Sequence, residues 1–270
     1  MSSRGNLRAE IGYTEDTGKM PYFYANAHEK DYVPLAPVEM EITDARGMDS
    51  SLDREGFILA RHSSRLRDLT DMDAVAKVHS GEVAELLKEV TGADHVSMVT
   101  KGILRFSERS GKTGSSDNSH PARFAHVDMS HSAAAAAREQ SAPEGRAIAR
   151  SAQYNVWRAL SPPPQDVPLA LCSWPSVEEG DLIDCLAIFD PPDGSSEWSF
   201  GNYVIRHNPA HRWYYFSNMT PDEAIVFKTS ESDPARAQLM PHGAFDNPLA
   251  PPDAPPRVSL EMRGFCYWFA

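Results

Sequence analysis

His126, Val127 and Asp128 lie in a stretch, RFAHVDM over residues 123–129, that reads as a β-strand. Side chains alternate across a strand, so the His126 imidazole and the Asp128 carboxylate leave from one face and Val127 from the other. These are two of the three donors in a 2-His-1-carboxylate set, which caps one side of a non-haem Fe(II) and leaves positions open. The third donor must come from elsewhere, and His207, His211 and His242 are downstream candidates. An isolated His-x-Asp is weak, because 10 histidines and 38 acidic residues make chance occurrences expected. The competing reading is a surface histidine beside a solvated aspartate.

The carboxy-terminal segment carries independent information. From Arg257 onward the chain alternates: Val258, Leu260, Met262, Cys266 and Trp268 share one face, and Arg257, Ser259, Glu261 and Arg263 share the other. A charged face in an otherwise apolar region faces water or lines a polar cavity. Arg257 and Ser259 together present a planar fork and a hydroxyl, a pairing that suits a carboxylate. A hydrogen bond to a charged group contributes roughly 1.5–3 kcal/mol, enough to orient a small anion.

The elements that must hold these residues follow from periodicity. Residues 1–60 look irregular, with strand-like pieces at 38–43 and 56–60, and are expected as an extension packing on the main body. Over residues 73–90 the apolar side chains keep helical spacing, with Asp73 as a candidate N-cap and Gly92 as a stop. This predicts a helix laid on a sheet. Short strands are expected at 95–100, 103–108 and 123–129. Helical cover begins at the alanine run 133–137, breaks near Pro143 and is expected to resume to Ala152. Further strand candidates, bounded by Pro, Gly, Asn or Asp, fall at 154–160, 168–172, 185–189, 198–206, 212–217, 224–229 and 258–269. Many short strands after one strong helix indicate a mainly β barrel or sandwich with helical cover in one domain, residues 1–270.

Composition narrows the function classes. A net charge of −12 disfavours nucleic acid as a partner, which needs a basic face. No run approaches the roughly 18 apolar residues of a membrane span, and residues 1–20 lack an apolar leader core. Cys172, Cys185 and Cys266 are scattered and odd in number, so neither a disulfide framework nor a cysteine zinc site is expected. A reducing, cytosolic setting is the plain expectation. Nucleophile-elbow, dinucleotide and zinc-protease motifs are absent, and Gly111-Lys112-Thr113-Gly114 lacks the upstream glycine of a phosphate loop.

Other residues have two readings each. Arg105, Asn155 and Arg158 stand in strands flanking the His-x-Asp segment and could hold a substrate or cosubstrate carboxylate, or form ion pairs at a barrel rim. The run Trp213-Tyr214-Tyr215-Phe216 reads as a core strand in preference to a stacking site. His211 follows an Asn-Pro turn and reads as structural, and His131 as solvated.

The order His126-x-Asp128, His242, Arg257-x-Ser259 resembles the Fe(II)/2-oxoglutarate-dependent oxygenases. His242 precedes Arg257 by 15 positions, as in that pattern, whereas His211 lies 46 positions before it. A narrower resemblance rests on Asp44-Ala45-Arg46-Gly47, Asn155-Val156-Trp157-Arg158, Asn208-Pro209-Ala210-His211-Arg212-Trp213, Met219-Thr220-Pro221-Asp222-Glu223 and Pro241-His242-Gly243-Ala244-Phe245. These are similar to a hydroxylase/desaturase family of natural-product pathways, which includes a gibberellin desaturase, a cephamycin methoxylation component and a fungal aziridine-forming oxygenase. Cys172-Ser173-Trp174 departs from that pattern, where an acidic residue is expected after the cysteine.

The resemblance implies a double-stranded β-helix (jelly-roll) barrel, Fe(II) on His126, Asp128 and His242, and 2-oxoglutarate held by Arg257 and Ser259. It further implies O2-dependent oxidation of a small natural-product or amino-acid-derived substrate by hydroxylation, desaturation or ring closure. Arg105 and Arg158 add the expectation that this substrate is a small carboxylic acid. Two alternatives stand beside it: a zinc-dependent hydrolase on the same three residues, and a non-catalytic accessory subunit of another enzyme.

Overall fold

Period-two alternation begins earlier in the chain than expected. The structure, a computed structural model, describes residues 6–112, 118–191 and 193–270; part of the expected loop after residue 110, with Thr113 and Gly114, lies outside them. The first four strands are β1 (Leu7–Thr14), β2 (Tyr22–Tyr24), β3 (Leu35–Asp44) and β4 (Phe57–Arg61). The described part of segment 1–60, expected to be irregular, thus contributes four strands to the two main sheets. The β1–β3 pair turns Leu7, Ile11, Val38 and Ile42 to the core and keeps its open face charged, where Arg8 meets Glu39 at 2.6 Å and Asn6 meets Glu41 at 2.7 Å.

A helical segment follows, with α1 (Met72–Ala74), a π-helical stretch (Val75–His79) and α2 (Ser80–Thr91). The cap is Asp71, two residues before the expected Asp73, its carboxylate accepting from the Ala74 amide. Gly92 ends the helix in the left-handed conformation at φ 68°, as its position implied. Next come β5 (His95–Phe106), β6 (Asn118–Ser119), β7 (His126–Val127) and α3 (His131–Gln140). The expected strand 123–129 thus shrinks to two residues.

The rest is strand: β8 (Ile148–Ala159), β9 (Leu169–Cys172), β10 (Leu182–Phe189) and β11 (Trp198–Ile205). Then come β12 (Trp213–Tyr215), β13 (Glu223–Glu231), β14 (His242–Ala244) and β15 (Val258–Phe269). The helix does not resume to Ala152. Gly145 turns the chain at φ 68°, and from Ile148 it pairs with β15, a non-local contact that alanine-rich propensity cannot report.

Two sheets result, in the orders β1-β3-β12-β9-β14-β7-β11-β10-β2 and β4-β13-β8-β15-β5-β6. They face each other across a core of Leu169 and Leu171 from the first and Trp157, Ile225 and Phe227 from the second. This is the expected double-stranded β-helix. The outer face of the smaller sheet packs on α2 through Val83, Leu86 and Leu87 against Val156, Leu260 and Met262. Trp213 and Tyr215 pack on one side of β12 and Tyr214 on the other, so the aromatic run is core.

Candidate metal centre

β7 and β14 are adjacent antiparallel strands, and His126 is paired directly with His242. Their rings lie 4.4 Å apart, and Asp128 follows at the bend just past β7. The three side chains offer ligand atoms that all lie within 4.8 Å of one another. Asp128 Oδ1 is 3.9 Å from His126 Nε2 and 4.0 Å from His242 Nε2. Bonds of about 2.1 Å to one ion require a closure of only about 1 Å.

The donor chemistry fits a cation. His126 Nδ1 lies 3.0 Å from the Phe124 carbonyl and His242 Nδ1 3.1 Å from the Met240 carbonyl. Each Nδ1–H donates to a backbone oxygen, which leaves the Nε2 lone pairs directed at Asp128. Burial, reinforced by His242, lowers the His126 pKa to about 4, and burial also lowers that of His242, so both imidazoles are neutral and able to donate a lone pair at neutral pH. Burial by itself would raise the Asp128 pKa. The Arg263 guanidinium, with the Asn155 hydrogen bond, outweighs it and holds the carboxyl ionised.

The second ring of contacts comes from the opposite sheet. Asn155 Nδ2 donates to Asp128 Oδ2 at 2.6 Å, and Arg263 Nη2 donates to Oδ1 at 3.1 Å. Arg263 also binds Glu261 at 2.8–2.9 Å. Despite burial, these two carboxylates keep the Arg263 guanidinium firmly protonated. The sequence offers Asn155 as a substrate or cosubstrate group; here its amide is spent on orienting the Asp128 carboxylate. Arg263 and Glu261 were visible in the sequence only as members of the Arg257 face.

That face does turn inward. Arg257 and Ser259 are each 1% exposed, and neither Arg257 Nε nor Ser259 Oγ has a hydrogen-bond partner among the described residues. Arg257 Nη1 donates to the Val167 carbonyl at 2.6 Å, and the guanidinium lies over the Trp157 ring at 5.4 Å. Burial, with repulsion from Arg105 and Arg123, lowers the Arg257 pKa to about 9. Asp166 and Glu108 act on this guanidinium only at a distance, with no direct ion pair to it among the described residues, and a bound carboxylate would supply one. Arg105 pairs across the ladder with Ser259 and donates to the His120 carbonyl at 3.0 Å.

Arg158 is a correction. It sits three residues after Asn155, an odd spacing that sends it to the opposite face, where it binds His62 and the Pro221 carbonyl beside the helical layer. His211 is structural, held by Tyr13 at 3.0 Å and Asp181 at 3.1 Å, and His207 packs edge-on to Tyr13. His131 is partly exposed on α3.

Comparison with known proteins bears on this site. Residues 11–267 match the family described as "Oxidoreductase/YMDC permease-like domain". The hydroxylase/desaturase CTB9 of Cercospora beticola is 30% identical over 253 residues, covering 85% of this chain and 76% of that protein. The alpha-ketoglutarate-dependent dioxygenase phiK of a fungal species is 31% identical, covering 83% of this chain and 82% of that protein. Among solved structures, the iron and alpha-ketoglutarate-dependent endoperoxidase NvfI superposes with a TM-score of 0.84 at 24% identity over the whole of both chains, a likeness of fold. With the jelly roll and the His-Asp-His cluster between its sheets, the chain belongs to the hydroxylase/desaturase family of Fe(II)/2-oxoglutarate-dependent dioxygenases.

Proposed function

We propose that His126, Asp128 and His242 bind Fe(II), and that Arg257 and Ser259 hold the distal carboxylate of 2-oxoglutarate. The enzyme class and its need for Fe(II), 2-oxoglutarate and O2 follow from family membership. Relatives of this kind favour the oxygenase over the zinc hydrolase and the accessory subunit. When bound, iron, 2-oxoglutarate and O2 supply the oxidising power to remove hydrogen from an unactivated carbon, with succinate and CO2 as co-products.

The protein's own part is positioning. The carbonyls of Phe124 and Met240 fix both imidazoles, and Asn155 and Arg263 fix and ionise Asp128. Burial of the centre keeps bulk water from the reacting carbon. Whether hydroxylation, desaturation or ring closure follows depends on substrate placement, since the ligands are the same for each.

The substrate is a small molecule. The case for a carboxylic acid rested on Arg105 and Arg158. Arg158 lies on the far side of the sheet, and Arg105 stands beside Ser259, at the end that suits the cosubstrate. The three free, buried cysteines suit a reducing, cytosolic setting.

One observation carries the reading: three ligand atoms within 4.8 Å of one another at a buried point, both imidazoles oriented by backbone carbonyls. The test is anaerobic addition of Fe(II) and then 2-oxoglutarate. A weak visible charge-transfer band is expected in the native protein and its loss in Asp128→Ala. Tight Fe(II) binding without the band would defeat the 2-oxoglutarate assignment.

A further inference from the structure

Asn202 is a buried polar group that the metal and cosubstrate sites do not use. The residue is 1% exposed, and neither Nδ2 nor Oδ1 has a hydrogen-bond partner among the described residues. Buried amides are nearly always paired, so one with both atoms open calls for a molecule that completes it.

The ladder shows which way it faces. β11 pairs with β7, Val204 opposite His126 and Tyr203 opposite Val127. Asn202, two residues from Val204, therefore shares the His126 face and stands one step on, level with Asp128. Outward from Asn202 the same face carries Phe200 and then Trp198, with Phe189 paired to Trp198 on β10. β2 adds Phe23 opposite Ala187.

These rings form two clusters along one face, an outer one of Trp198, Phe189 and Phe200 and an inner one of Phe23 and Phe124 against His126. Trp198 and Phe189 stack at 4.1 Å and 9°, and Phe200 lies 5.5 Å from Phe189. Phe23 meets Phe124 at 5.3 Å, and Phe124 meets His126 at 5.2 Å. Trp198 is 53% exposed and marks the outer end, four residues or about 13 Å from Asn202 at the rise of a strand. This face of β10 and β11 carries no charged side chain. Apart from Asp128 itself, the inward charges named near the centre, Arg105, Arg257, Glu261 and Arg263, come from the opposite sheet or the residue leading into it.

We infer that the substrate lies along this face as a neutral, flat, largely apolar molecule whose carbonyl or hydroxyl group bonds to the Asn202 amide. The assignment rests on the iron reading above for what lies at the inner end. The amide supplies a donor and an acceptor, so it accepts either group, and it holds one edge of the molecule beside the metal ligands. A carboxylate there would lose its hydration among aromatic rings with no cation on its own face of β10 and β11 to replace it.

Xanthone, a flat tricycle with one carbonyl, is a suitable probe; xanthone-2-carboxylate adds a charge and xanthene lacks the carbonyl. Binding is read on the full chain in two ways: change in the visible band of the anaerobic Fe(II)/2-oxoglutarate form, and quenching of tryptophan fluorescence in the metal-free form. Xanthone is expected to bind at least about tenfold tighter than the acid. Asn202→Leu should weaken xanthone about tenfold, about 1.4 kcal/mol, and leave xanthene within about twofold. If that variant does not fold, Asn202→Ser and Trp198→Ala carry the same test by the band, and xanthone affinity must fall in both. The inference is overturned if the acid binds as tightly as xanthone, if the Asn202 variants bind xanthone normally, or if xanthone does not bind. Should the band be absent while the Asn202-dependent quenching persists, the aromatic face stands and the iron reading falls.

Discussion

Arg257 shows how one side chain can combine a burial cost with a binding role. Its guanidinium is nearly inaccessible and uses one nitrogen on the Val167 carbonyl, while its Nε and the Ser259 Oγ two residues on have no hydrogen-bond partner among the described residues. A carboxylate bound there gains charge-assisted hydrogen bonds of roughly 1.5–3 kcal/mol, so Arg257→Ala should raise the 2-oxoglutarate dissociation constant roughly ten- to a hundredfold. Fe(II) affinity should stay near native, because Arg257 supplies no ligand atom. Arg257→Lys should recover part of the loss, since a point charge cannot reproduce a planar fork. Anaerobic titration of Fe(II) and 2-oxoglutarate separates the two affinities, and a native 2-oxoglutarate affinity in both variants would place the anchor elsewhere.

Among the elements, β1 has an influence on the centre that its distance in sequence conceals. Gly12 lies against the chain leading into His126: a Cβ added there would collide with the Arg123 carbonyl and come within 3.3 Å of Phe124 Cα. Backbone cannot step aside as a side-chain tip can. Gly12→Ala should therefore cost about 1–3 kcal/mol in urea unfolding and weaken Fe(II) binding, by displacing the strand that presents His126. Stability lost with Fe(II) affinity unchanged would show that the strain relaxes into β1 instead. The helical layer has its own clamp. Glu82 accepts from Ser64 Oγ at 2.6 Å, His79 Nδ1 at 2.8 Å and the Arg65 amide at 3.0 Å. Burial opposes ionisation, but these bonds prevail and hold its pKa at about 2, below the usual 4.5. A depressed folded pKa gives stability that is full above the ordinary value and lost as pH falls towards the folded one. The native melting temperature should thus fall more steeply than that of Glu82→Gln between pH 4.5 and 2.

At the scale of the whole molecule, the centre ties the two sheets together. His126, Asp128 and His242 belong to the larger sheet, while Asn155 and Arg263, which grip Asp128, belong to the smaller. An ion that binds the folded protein alone stabilises it by mass action, about 2.7 kcal/mol at a hundredfold excess over its dissociation constant. Anaerobic Fe(II) should raise the melting temperature by several degrees and chelation should reverse the gain. Asp128→Ala should abolish the shift. An equal shift in that variant would mean that the ion binds elsewhere.

The sequence by itself determined what local spacing can determine. His126 and Asp128 share a face because they are two apart, and Arg257, Ser259, Glu261 and Arg263 share one for the same reason. Helical spacing and Gly92 likewise marked α2 and its end. Which faces turn inward depends on partners far along the chain, and only the tertiary structure decided that. Asn155 meets Asp128 while Arg158 points away because β8 lies between β13 and β15 with its odd-numbered side chains turned to the space between the sheets. Asn202 lies level with Asp128 only through the β7–β11 pairing, a contact between residues more than seventy positions apart that leaves no local trace. In β1 and β3 the apolar alternation of Leu7, Ala9, Ile11 and Tyr13 and of Val38, Met40 and Ile42 is legible in the sequence, but their pairing within the larger sheet is decided by the tertiary structure alone.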